Sequence, residues 1–156
     1  MTWVASLKKL RRLSGRQWGA MVLSGAYLPL VCLSLRVAGL ARTLRLFGRG
    51  LRSSQPTPDH LTNPADSVAI GRIVESFVAR MPWRVGCLPL GLTQWIVLGK
   101  LGVASDLRIG VSTEQSTLIA HAWVQIDNVS LGSALHQGLY ARIWSCREDG
   151  YEFQIE

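Results

Sequence analysis

A chain of 156 residues, 48% of them hydrophobic, is long enough to close one core, which excludes a wholly disordered protein. The net charge of +7 is unevenly placed: residues 1–58 carry ten Lys/Arg and no acid, while residues 59–156 carry seven Lys/Arg against ten Asp/Glu. Three cysteines at wide spacing (Cys32, Cys87 and Cys146) exclude a disulfide framework and a zinc site of paired ligands, and fit a reducing cytosol.

Trp3, Val4, Leu7, Leu10 and Leu13 fall at helical spacing with Lys8, Lys9, Arg11 and Arg12 in the gaps, so residues 3–13 read as a basic amphipathic helix. No small-residue cleavage site follows at the distance a secretory signal requires. After Ser14-Gly15 a second helical stretch runs from about Gln17 to Leu51. Its 17 residues from Gly19 to Leu35 are uncharged, and Arg36, Arg42, Arg45, Arg49 and Arg52 then recur at mostly helical intervals. A bilayer span needs about 20 apolar residues, and this run includes Ser24, Tyr27, Pro29 and Ser34. A buried or membrane-surface helix pair is therefore the better reading. Pro29 lacks a backbone donor and is expected to break or kink the helix near Leu28. Such a basic third can meet nucleic acid, anionic lipid or an acidic protein. Nucleic acid is the weakest of these, because the arginines are dispersed among Leu, Val and Ala and no nucleic-acid module is present.

Residues 53–64, polar and holding three prolines, read as a linker. A helix starts near Asn63-Pro64, shows Val68, Ile73, Val74, Phe77 and Val78 on one side, and stops before Met81-Pro82. Another runs from Cys87 to about Leu101, ended by Gly102. The period then changes. Leu107, Ile109 and Val111 alternate with Arg108 and Gly110 as a strand, Leu118 to Ile126 is a second, and Asp127-Asn128 turns into Val129–Leu131. Leu139–Ser145 and Tyr151–Ile155 form a further hairpin around Glu148-Asp149-Gly150. Helices first and an antiparallel sheet second predict an α+β fold. The expected divisions are a helical region over 1–52, the linker over 53–64 and a catalytic core over 65–156.

Cys87 opens a helix. Unpaired N–H groups at a helix N-terminus favour negative charge, thiolate included, and can hold the oxyanion of a tetrahedral intermediate. A free cysteine can equally be a small buried hydrophobe. His121 lies mid-strand between Ala120 and Ala122, which leave the imidazole room to face a partner. A helix-opening Cys followed by a strand His is the order of nucleophile and base in papain-like and transglutaminase-like folds. Trp83, Trp95 and Trp123 surround this pair in sequence; Trp83 and Trp123 are candidate walls of a peptide groove, with core packing the alternative. His60 and His136 read as surface residues, and Cys32 and Cys146 as inert.

Cys87-Leu88-Pro89, the helix end Leu101-Gly102-Val103, Leu107–Val111 and Ala120-His121-Ala122-Trp123-Val124 together resemble the protease half of the lasso-peptide biosynthesis leader peptidases, within the transglutaminase-like cysteine peptidases. The motifs span residues 65–133. The resemblance implies cleavage of a ribosomally made precursor peptide, without metal or cofactor, in the cytoplasm. It also implies a separate leader-recognition protein and a macrolactam synthetase as partners. The third catalytic residue of that family is an Asp about twelve positions after the His; here the position is Ser133. Asp127 is closer in sequence, but six residues of extended strand cover roughly 20 Å, beyond reach of the imidazole. Counting across the hairpin, a three-residue loop at Ile126–Asn128 places Ser133 opposite His121, and a two-residue loop places Ala134 there. Asp106 and Asp149 are further candidates for the missing carboxylate. A serine orients an imidazole without offsetting its charge, which keeps two rivals open: a non-catalytic peptide-binding module of the same fold, and an acyltransferase.

Overall fold

The computed structural model describes residues 14–52, 64–114, 117–127, 129–131, 141–147 and 150–152. The helix expected over 3–13 and residues 53–63 of the expected linker fall outside these residues, as do the ends of the second hairpin; Pro64, the last residue of that expected linker, opens a helix.

Helix α1 (Gly15–Arg52) is the long apolar stretch. Of the break or kink expected near Leu28 there is no break: the helix continues through Pro29, and its one non-helical residue is Gly39 at φ 75°, ψ 175°. The reason is packing. Leu28 and Val31 flank the proline and are fully buried, which holds that turn against the core while the proline forfeits one backbone bond. Gly39, lacking a Cβ, enters the positive-φ region at little cost and takes the bend instead. The two arms are tied where they meet. Thr43 Oγ1 donates to the Gly39 carbonyl at 2.8 Å, so Ser34 supplies the proton of the 2.8 Å bond between the two hydroxyls.

Helix α2 (Pro64–Val78) buries Ser67, Ile70, Val74 and Val78, a stripe at intervals of three and four. Helix α3 (Cys87–Lys100) is buried all round from Gly91 to Gly99, because α1, α2 and the sheet all pack on it. A helix surrounded in this way needs apolar residues on every face, and Leu92, Ile96, Val97 and Leu98 supply them. Its end is a Schellman motif. Gly102 adopts φ 71°, its N–H donates to Gly99 O (3.1 Å), and the Val103 N–H donates to Leu98 O (2.9 Å). The Arg16 guanidinium of α1 also donates to the Leu101 carbonyl at 2.7 Å, placing a cation at the negative end of α3.

Among the described residues five antiparallel strands follow: β1 (Asp106–Glu114), β2 (Thr117–Ile126), β3 (Val129–Leu131), β4 (Ala141–Arg147) and β5 (Gly150–Glu152), in the order β3-β2-β1-β4-β5. Leu107, Ala122, Val124, Ile126 and Leu131 line the face that meets the helices, and they are buried. The fold is α+β, as expected from the sequence. The turn between β2 and β3 is the two-residue form, since Ile126 pairs with Val129 and Asp127 takes φ 50°, as a primed hairpin turn requires.

One polar clamp joins α3 to α2. The buried Gln94 amide donates to the Gly71 carbonyl and to Glu75 Oε1, each at 3.2 Å. Beside it, a Cβ on Gly71 would overlap Leu131, so α2 packs against β3 through a position that must stay small. Gln94→Leu keeps the volume and removes both bonds. It is expected to cost about 1–3 kcal/mol, read as a lower urea midpoint at unchanged m-value.

Candidate active site

The loop Trp83–Gly86 delivers the chain to α3, where Gly86 is the N-cap in an extended conformation (φ −71°, ψ 170°). A glycine offers no side-chain oxygen, so no side-chain cap bond is made there. Pro89 has no N–H, and the Leu90 N–H already reaches the Gly86 carbonyl at 3.2 Å. The first turn therefore leaves two donors for an incoming oxygen, the N–H groups of Cys87 and Leu88. Cys87 itself is half-buried and its thiol is free of any disulfide.

One turn further on, Gly91 lets α3 approach β2. A Cβ there would sit 3.2 Å from Leu107 Cδ1 and 3.7 Å from both the Cβ and the carbonyl carbon of Ala122. This close passage carries the helix opening to the peptide before His121: Cys87 Sγ lies 4.0 Å from the Ala120 carbonyl oxygen. Cys87 and the His121 segment, 33 to 34 residues apart in sequence, are thus neighbours in space.

Strand alternation sets where the imidazole goes. Ala122 faces α3 through Gly91, so His121 and Trp123 project from the other face of β2. There the two rings stack, centroids 6.1 Å apart with planes at 17°. Gly110 lies opposite His121 in β1 and adds no side chain on that face. The thiol meets a backbone carbonyl and the imidazole meets an indole, on either side of the Ala120–His121 peptide.

Exposure separates the three tryptophans. Trp83 is 54% exposed on the loop into α3, Trp123 only 6%, and Trp95 1%. Trp95 stands eight residues, roughly 12 Å, beyond Cys87 along α3 and is core. Asp127 occupies the exposed turn tip, six residues from His121, where its carbonyl accepts from Gln125 Nε2 at 2.8 Å. Asp106 pairs with Arg108 at 3.7 Å and lies opposite Gln125, four residues or roughly 13 Å of strand from the level of His121. Ser133, Ala134, Asp149, His60 and His136 are outside the described residues. The β2–β3 turn is the two-residue form, and the described register runs from Ile126 opposite Val129 to Val124 opposite Leu131. Cys32 packs half-buried against the core, and Cys146 lies in β4 opposite Leu107.

Sequence reasoning missed Gly86, Gly91 and the Ala120 carbonyl. Each is a small residue whose part is to be absent, as a missing cap, a missing Cβ or a bare backbone oxygen, and periodicity gives no signal for that.

No curated protein and no solved structure matches the chain. A profile of the transglutaminase-like superfamily matches residues 29–145, well over half of it. Members of that superfamily are usually cysteine peptidases or acyl transferases. Since the match starts inside α1, crosses both later helices and reaches β4 with Cys87 and His121 in its span, this chain belongs to the transglutaminase-like superfamily.

Proposed function

We propose that the protein is a cysteine peptidase that removes the leader from a ribosomally made precursor peptide during lasso-peptide maturation. The observation that carries the reading is the approach of Cys87, first residue of α3, to within 4.0 Å of the carbonyl preceding His121, in a chain of this superfamily. In the proposed reaction His121 takes the thiol proton and the Cys87 sulfur attacks the scissile carbonyl. The N–H of Cys87 helps to hold the oxyanion. The C–N bond breaks as the imidazolium returns its proton to the leaving amine, and water then hydrolyses the thioester. Trp83 offers an exposed apolar wall for the substrate, and Trp123 supports the imidazole by stacking. Partners of the proposed reaction are the precursor peptide, a separate leader-recognition protein and the macrolactam synthetase, in the cytoplasm.

The reaction requires the His121 imidazole, stacked on Trp123, to come within hydrogen-bond reach of the Cys87 thiol. Serine in place of the family's Asp at position 133 favours one rival, a binding module that keeps the fold without turnover. Incubation with a thiol-reactive peptide probe and with a precursor peptide separates them. The proposal expects Cys87 to be labelled and a shortened peptide to appear; labelling of no cysteine and an intact precursor would leave the binding module. A product mass equal to an amine adduct would mean acyl transfer instead of hydrolysis.

The orienting group has its own test. With Ser133 as orienter, Ser133→Ala is expected to lower turnover modestly, within about tenfold, and Ser133→Asp to hold or raise it. Asp127→Ala is expected to leave turnover near wild type. A loss with Asp127→Ala as deep as with His121→Ala would place the carboxylate at the turn and overturn this assignment.

A further inference from the structure

The bend at Gly39 opens a groove of about 610 Å³ between the two arms of α1, lined almost entirely by apolar side chains, with Ile96 as its floor and Lys100 at the rim. Leu30, Leu33 and Val37, at intervals of three and four, form one exposed stripe on the first arm, with Leu33 60% and Val37 78% exposed. Leu46 continues the stripe on the second arm at 65% exposure. Arg36, Arg42 and Arg45 are exposed beside it. No acid occurs anywhere in residues 1–58. Over Gly15–Gly48 the mean hydropathy reaches 1.7 in an 18-residue window of which only 22% is buried within the protein. A core helix of that hydropathy would be mostly covered. This one is covered on a single side.

We infer that the exposed face of α1 is a docking surface for an anionic membrane, with the stripe Leu30, Leu33, Val37 and Leu46 entering the interface and Arg36, Arg42 and Arg45 meeting the headgroups. An occupant must be apolar and negative along both arms at once, and a leaflet containing anionic lipid is both. A second copy of the chain would set arginine against arginine across the contact. A membrane span is disfavoured by the bend at Gly39, by the arginines that follow the uncharged run, and by Ala20, Leu28 and Val31, which commit the opposite side of α1 to the protein core. The groove meets α3 at Ile96 and Lys100, and Cys87 opens that helix 13 residues, roughly 20 Å, before Lys100, so the proposed docking face and the helix opening are at opposite ends of α3.

The test is co-sedimentation of the full chain with phosphatidylcholine vesicles, with and without phosphatidylglycerol, at low salt and at several times physiological salt. The inference expects association with the anionic vesicles alone, falling at least severalfold at high salt, because charge attraction is screened within ~8 Å already at physiological ionic strength. Arg42→Glu/Arg45→Glu, both at the surface, and Leu33→Ser/Val37→Ser should each reduce that association severalfold with unchanged circular dichroism. Equal binding to neutral vesicles, or no binding to anionic vesicles at low salt, would overturn it. Retention after alkaline carbonate would overturn it in favour of a span. Concentration-dependent dimers that Leu33→Ser/Val37→Ser dissolves, without vesicle binding, would assign the face to a second copy.

Discussion

In the proposed reaction, Cys87→Ala is expected to abolish release of the leader, a loss of more than about a thousandfold, while the protein stays folded. The nucleophile is the one group for which no neighbour can substitute, since the acyl intermediate is a bond to its sulfur. The structural cost should be small. Cys87 is the first residue of α3, half-buried, and its described contact is a single 4.0 Å approach to the Ala120 carbonyl. Stability within about 0.5 kcal/mol of wild type is therefore expected. Mass spectrometry of the precursor after incubation, beside a thermal melt of the same sample, reads both quantities. A mutant that still cleaves would end the assignment of Cys87 as nucleophile. His121→Ala should lose nearly as much and the double mutant little more, because nucleophile and base act as one unit.

Trp95→Ala is expected to have the largest effect on stability, about 3–5 kcal/mol. Trp95 is 1% exposed and among the largest of the fully buried side chains, on the helix that α1, α2 and the sheet all enclose. Its truncation leaves a cavity that three packed layers cannot close together. For a domain of this size such a loss is a large part of the whole margin of stability. The indole N–H has no partner among the described residues, so Trp95→Phe removes that donor along with only part of the volume. Trp95→Phe is expected to cost well under half as much as Trp95→Ala in urea unfolding. Equal losses for the two would mean that the indole nitrogen is itself bonded in the native protein.

Much of the fold could be read along the chain because local rules and tertiary packing agree there. Helix α3 begins at Cys87 and is closed two residues past Lys100 by Gly102, where a residue tolerant of positive φ completes a Schellman motif, and both signals are visible as residue types. The turn at Asp127-Asn128 is legible for the same reason, and so is the switch from helical to alternating period near residue 107. Pro29 does not break the helix. Its local cost is real, yet burial of Leu28 and Val31 outweighs it, and which residues are buried is a property of the assembled core.

The sequence by itself determined the order of helices before sheet, the charge asymmetry, and two residues whose chemistry suits a thiol and its base. These depend on composition, period and residue type, all of which are local. Only the tertiary structure decided that Cys87 and the His121 segment are neighbours, because that needs α3 and β2 to pass closely at Gly91, 31 positions before Ala122. It alone decided that the β2–β3 turn has two residues, which sets Val124 opposite Leu131. And it alone separated the buried side of α1 from the side left bare, since an apolar run carries no mark of which of its faces the core will take.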